Sequence, residues 1–182
     1  MNYKQLYELL QNKEIEKAKK LVLEQIVISD SKNKSTTKAL IKLSKHIQKQ
    51  NIKDNRKSLA GAIYNGNDTY LIDFCILFVA YGEKLQGLAM VDEIDNPRNI
   101  NYNSIFFDTQ NMECVEIDKN KLLEAIANKE RAFKVSEYNF DCNFLKLLLD
   151  CFDEPKIYEG NHLLQIEENN KKALLMGLRD YV

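Results

Sequence analysis

The stretch "NFDCNFLKLLL", residues 139–149, has a near copy upstream in "EIDKNKLLEAI", residues 116–126. Both read apolar-Asp-x-Asn-x-Leu: Ile117-Asp118-Lys119-Asn120 stands against Phe140-Asp141-Cys142-Asn143. An aspartate in this place has a physical task. Its carboxylate accepts from the unpaired N–H groups of a helix's first turn and sits at the positive end of the helix dipole. The apolar residue before it anchors the incoming chain in a core. The phrase therefore encodes one corner, extended chain into capped helix, made twice. Asp118 and Asp141 are expected as caps, not as catalytic carboxylates.

Around these corners, "MECVEI" is expected as a strand before the first cap, with "NKLLEAIAN" as its helix. "RAFKVSE" and "YNF" are expected as strands before the second cap, and "NFLKLLLDCF" as the second helix. "PKIYEG", "HLLQIEE" and "KALLMGLRD" follow as three closing strands, turning at Gly160-Asn161 and Asn169-Asn170. Upstream, "SLAGAIY" and "TYLIDFCILFVAYG" are rich in β-branched and aromatic residues. Asn65-Gly66 between them is a hairpin signal, with the second strand expected from Thr69. "DEIDNPRNINYN", with Pro97, reads as a loop.

The first fifty residues have a helical period instead. Tyr3, Leu6, Tyr7 and Leu10 share one side of a short helix, and Ile15, Ala18, Val22 and Ile26 continue after a break at Gln11-Asn12. "SDSKNKSTT" is a polar loop in which Ser35, Thr36 or Thr37 can cap the next helix. In "KALIKLSKHIQKQ", Leu40, Leu43 and Ile47 form an apolar face, while Lys38, Lys42, Lys45 and Lys49 form a basic stripe on another. The fold class expected is α+β. A basic helical region spans residues 1–56, and an antiparallel sheet with two capped helices spans residues 57–182. The first region is expected to supply few large core anchors.

Charge follows the same division. Residues 1–58 carry 14 Lys and Arg against 6 Asp and Glu, a balance of +8, and the rest carry 12 against 21, a balance of −9. Two surfaces with different partners are the natural reading. The candidate binding residues for nucleic acid or a protein partner are Lys38, Lys42, Lys45, Lys49, Lys53 and Arg56. Lysine rather than arginine favours attraction to phosphate or to an acidic surface over bidentate reading of bases.

Three stretches resemble the module of the bacterial DNA polymerase III β sliding clamp. "LAGAIYNGNDTYLIDFCILFVA" is similar to its strand, hairpin, threonine-aspartate-glycine turn and short helix. Asp73 stands at that aspartate, with Ile72 and Phe74 replacing its neighbours. "NFDCNFLKLLLDCFDEPKIYEGNHLLQIEEN" resembles the module's second half, and "KALLMGLRDYV" its end, where Gly177-Leu178-Arg179 lacks the family's proline. Phage-encoded proteins with a helical N-terminus and one such module also look similar. The resemblance implies a clamp-like body and, were the chain to form a ring, basic inner helices. Here Lys119, Lys121, Lys129 and Lys146 are offset by Glu124, Glu130, Asp150 and Asp153.

Catalytic motifs do not emerge from the sequence. The six glycines form no phosphate-cradling loop, and neither G-x-S-x-G nor H-E-x-x-H occurs. Asp92, Glu93 and Asp95 read as a solvated loop, and His46 as a surface histidine with no evident carboxylate to orient it. Cys75, Cys114, Cys142 and Cys151 form no CxxC pair and are expected as free thiols, mostly buried. No metal, no cofactor and no catalytic residue is expected. "MNYKQLYELLQNKEIEK" shows no export signal and no apolar run is of membrane-spanning length, so a cytoplasmic protein without membrane contact is expected. The expected function is that of a non-catalytic phage or mobile-element protein docking on a host nucleic-acid-processing complex. A counter-defence (anti-CRISPR) inhibitor of a CRISPR effector nuclease is its concrete form. The alternatives are a DNA-replication accessory resembling a sliding clamp, which would act as an oligomer, and a nuclease with an unrecognised site.

Overall fold

The structure is a computed structural model that describes residues 3–30, 33–53, 60–82 and 101–178. Three helices come first: α1 (Tyr3–Gln11), α2 (Ile15–Asp30) and α3 (Lys34–Lys53). Three strands follow, β1 (Gly61–Asn65), β2 (Asp68–Ile72) and β3 (Ile76–Ala80), then a short 3-10 turn at Tyr102–Ile105. Next are α4 (Lys119–Ala127), the strands β4 (Ala132–Val135) and β5 (Tyr138–Asp141), and α5 (Cys142–Leu149). The chain closes with β6 (Lys156–Gly160), β7 (Leu163–Glu168) and β8 (Lys171–Met176). The expected α+β class is what is found.

The main sheet is antiparallel, in the order β1-β2-β3-β8-β7-β6, and β4-β5 form a separate hairpin. Its turns follow from backbone chemistry. Gly66, at φ +62°, takes the first central position of the two-residue β1–β2 loop. Asn161 and His162 both have positive φ, so the β6–β7 turn lies one residue beyond the expected Gly160-Asn161. Gly177 N–H donates to His162 O at 2.7 Å, and a side chain there would meet that oxygen at 2.9 Å. Only glycine permits so close an approach.

Strand alternation divides the core into two layers. Leu71, Ile76, Phe78, Ala173, Leu175, Leu164 and Ile166 point to one face, against α3, α4, α5 and the β4–β5 hairpin. Tyr70, Ile72, Leu77, Val79 and Leu174 point to the other, covered by Tyr102, Phe106 and Phe107. Gln165, fully buried on that second face, holds the cover in place. It accepts from Phe107 N–H at 2.9 Å and donates to Phe107 O at 3.1 Å, as a neighbouring strand would.

The twin corners form as their sequence dictates. Asp118 accepts from the N–H groups of Asn120 and Lys121, and Asp141 from those of Asn143 and Phe144. The chain before Asp118 departs from expectation, however. "MECVEI" belongs to no ladder; it is extended chain with one backbone bond to the sheet, Val115 N–H to Ile157 O at 2.8 Å. Asp73 does make a turn, accepting at 2.7 Å from both Cys75 and Ile76 N–H, but the chain then enters β3 rather than a helix. β2 begins at Asp68, one residue before Thr69, because Asp68 pairs with Asn65 across the tight loop.

The largest correction concerns α3. Leu43 and Ile47 are fully buried, and they join Ala39, Leu40 and Ile41 in the same cluster as Phe78, Phe140 and Leu145. The early helices do supply large core anchors, each worth about 1.5–3 kcal/mol on burial. The core thus runs across the expected boundary between residues 56 and 57, which itself lies outside the described residues.

Candidate partner-binding surface

α3 is placed by its first turn. Asn33, not Ser35, Thr36 or Thr37, is the cap: its Oδ1 accepts from Ser35 N–H at 3.0 Å and Thr36 N–H at 3.2 Å. Asn33 Nδ2 also donates to Asp153, and Thr36 Oγ1 donates to the same carboxylate at 2.8 Å. Glu168 in turn accepts from the Asp153 N–H at 3.0 Å. The start of α3 is tied to the α5–β6 loop through side chains more than a hundred residues away. No local signal in the sequence points to that link.

With Leu40, Leu43 and Ile47 turned to the core, helical geometry turns Lys38, Lys42, Lys45 and Lys49 outward, and all four are exposed. Lys34, at the first position of α3 and also exposed, extends the stripe by a turn. Sequence reasoning missed it because it began the helix later. The stripe is not uniform. Lys45 Nζ lies 2.8 Å from the buried carboxylate of Glu24 on α2 and acts as a clasp between the two helices. Lys34, Lys38, Lys42 and Lys49 form no ion pair with another described residue. Arg56 and the side chain of Lys53 lie outside the described residues, so four of the six expected binding residues are brought together on one face.

His46, between the two faces of α3, does have a carboxylate, contrary to expectation. Its Nε2 is 3.2 Å from Asp73 Oδ2, and its ring meets Phe144 edge-on at 4.9 Å. Two elements distant in sequence supply these partners, so no spacing announces them. The nearby chemistry is not that of an activated nucleophile. Burial, then the charges of Asp73 and Asp141, push the half-buried Cys75 thiol up from its ordinary value. A reactive cysteine needs the opposite shift. The Asp73–His46 contact joins α3 to the β2–β3 turn and serves as a polar clasp at the core's edge.

All four cysteines are free; Cys142 and Cys151 are buried, but Cys114 is exposed. Burial strongly raises the Cys151 thiol and keeps it protonated. Among the described residues no group of His, Cys, Asp or Glu could hold a metal ion. The acidic stretch Asp92, Glu93 and Asp95 lies outside them. No described helix is long and apolar enough to cross a membrane. Comparison with protein-family models, with curated proteins and with solved structures finds no match in any of the three.

Proposed function

We propose that this protein is a non-catalytic binding protein that uses the lysine face of α3 to dock on a polyanionic or acidic surface of a nucleic-acid-processing complex. One observation carries this reading. α3 is buried on one side in the core and presents on the other four exposed lysines with no described counter-charge. A rigid helix holds these charges at fixed spacing, which steers an encounter better than a mobile tail would. The concrete form is a counter-defence inhibitor of a CRISPR effector nuclease, a cytoplasmic target rich in phosphate and in grooves built for it. A clamp-like replication accessory is the second reading. It draws on the Asp-capped α4 and α5 packing side by side beneath an antiparallel sheet.

The test is charge reversal at Lys38, Lys42 and Lys49, each to Glu. Lys45 is left in place, because a glutamate there would face the buried Glu24 and confound binding with folding. Binding to purified CRISPR effector complexes, to a polymerase clamp-loading complex and to duplex DNA is followed across a salt titration. For duplex DNA the salt slope should fall by about 0.9 log units for each phosphate no longer neutralised. For a protein partner the effect should lie mainly in a slower association rate. Thermal stability should change little, since exposed substitutions usually stay within about 0.5 kcal/mol each. Equal binding by wild type and variant to every one of these would overturn the reading.

A further inference from the structure

The α1–α2 hairpin carries an apolar face that no other described element covers. None of the nine residues of α1 is buried. Tyr3 is 71% exposed, Tyr7 63%, Leu10 50%, Ile15 47%, Ile26 49% and Leu23 44%, although they sit at the spacing that normally faces a core. Leu6, Leu10, Ile15, Val22, Leu23 and Ile26 line an open groove of about 370 Å³ between the two helices. The hairpin is nonetheless firmly rooted. Val27 and Ile28 of α2 pack on the core, Glu24 is clasped by Lys45, and Lys13 at φ +59° closes the tight turn between the helices.

We infer that this face is a self-association surface on which a second copy of the chain docks, hairpin against hairpin, as a two-fold four-helix bundle. Three properties select a second copy over other occupants. First, residues 3–30 carry five lysines and five Asp or Glu, so two copies meet without net repulsion, and a polyanion gains nothing here. Second, the exposed ion pair Lys17–Glu14 at 2.6 Å does not line the groove and can remain in water, while Lys19, which does line it, is already neutralised by Glu16 at 2.7 Å. Third, the area is right. Taking 150–250 Å² per aromatic ring and somewhat less per aliphatic chain, the exposed fractions amount to roughly 600 Å² per copy. Doubled by a two-fold axis, this reaches the lower end of the ~1,200–2,000 Å² buried in stable interfaces. Short antiparallel helices with apolar faces satisfy one another in this way in four-helix bundles, and the rings of Tyr3 and Tyr7 can cover apolar surface with their hydroxyls at the wet rim.

The experiment uses the full chain. Sedimentation equilibrium across a concentration series should give twice the 21.2 kDa chain mass at the upper end. Leu10→Glu should raise the dissociation constant about a hundredfold or more, because it buries an unpaired charge in the interface. A second, conservative variant guards against misfolding. The chain contains no tryptophan, so Tyr7→Trp supplies a lone indole reporter on the face. Its emission should be blue-shifted in the dimer and move to the solvent-exposed value on dilution, in step with the mass. A single-chain mass throughout overturns the inference. So does a dimer that survives Leu10→Glu, or one in which the indole reporter stays exposed.

Discussion

α3 and the α1–α2 hairpin are written in the same amphipathic language and meet opposite ends. In α3 the apolar stripe is sealed: Leu43 and Ile47 have no exposure at all. In the hairpin the equivalent positions, Leu10, Leu23 and Ile26, stand about half in water. Periodicity tells a helix which side is apolar. It does not say what will cover that side. For α3 the cover is the sheet and α5, reached from far along the chain. For the hairpin no described residue of the monomer provides such cover.

Truncating matching side chains tests this contrast most severely. Leu43→Ala should destabilise the fold by about 2–5 kcal/mol, the range for a fully buried leucine. Leu23→Ala should change the unfolding free energy by no more than about 0.5 kcal/mol, measured by urea denaturation at concentrations too low for association. Similar effects at both sites would mean that the hairpin is core as well. A smaller effect is expected from Asn33→Ala. It removes the α3 cap and one of the two bonds to Asp153, and should cost about 1–2 kcal/mol. If the change is negligible, α3 is held by its apolar face alone and the cap is dispensable.

The smallest effect belongs to the opposite face of the sheet, where Tyr81 donates to Asn103 Oδ1 at 2.9 Å. Burial, with Tyr70, Asp68 and Glu167 adding to it, pushes the Tyr81 phenol from 10 up to about 12. The folded state therefore holds this proton at a pH where the unfolded chain has released it. The associated stability is complete below pH 10 and is lost as the pH rises through about 12. Tyr81→Phe should flatten the fall in melting temperature over that alkaline window, at the expense of one hydrogen bond at neutral pH. An unchanged alkaline profile would show that Tyr81 titrates normally and that the 101–107 cover is loose.

Features settled within a few residues were legible in the sequence. Asp118 and Asp141 cap their helices because a short carboxylate side chain reaches the next turn's N–H groups whatever lies around it. The hairpins at Gly66, Asn161 and Asn169 follow from residues that tolerate positive φ. The alternating strands and the lysine face of α3 follow from periods of two and 3.6. Matters that depend on distant partners needed the folded chain. Asn33 prevailed over three hydroxyl residues as the cap in a first turn where the distant Asp153 engages both Asn33 and Thr36. "MECVEI" stayed outside the ladder although its composition suits a strand, making one backbone bond with the edge strand β6. His46 found Asp73, and α3 became core rather than appendage, because the sheet offered an apolar face at that place. Local backbone chemistry is carried by neighbours in the chain, whereas burial depends on what the rest of the chain brings alongside.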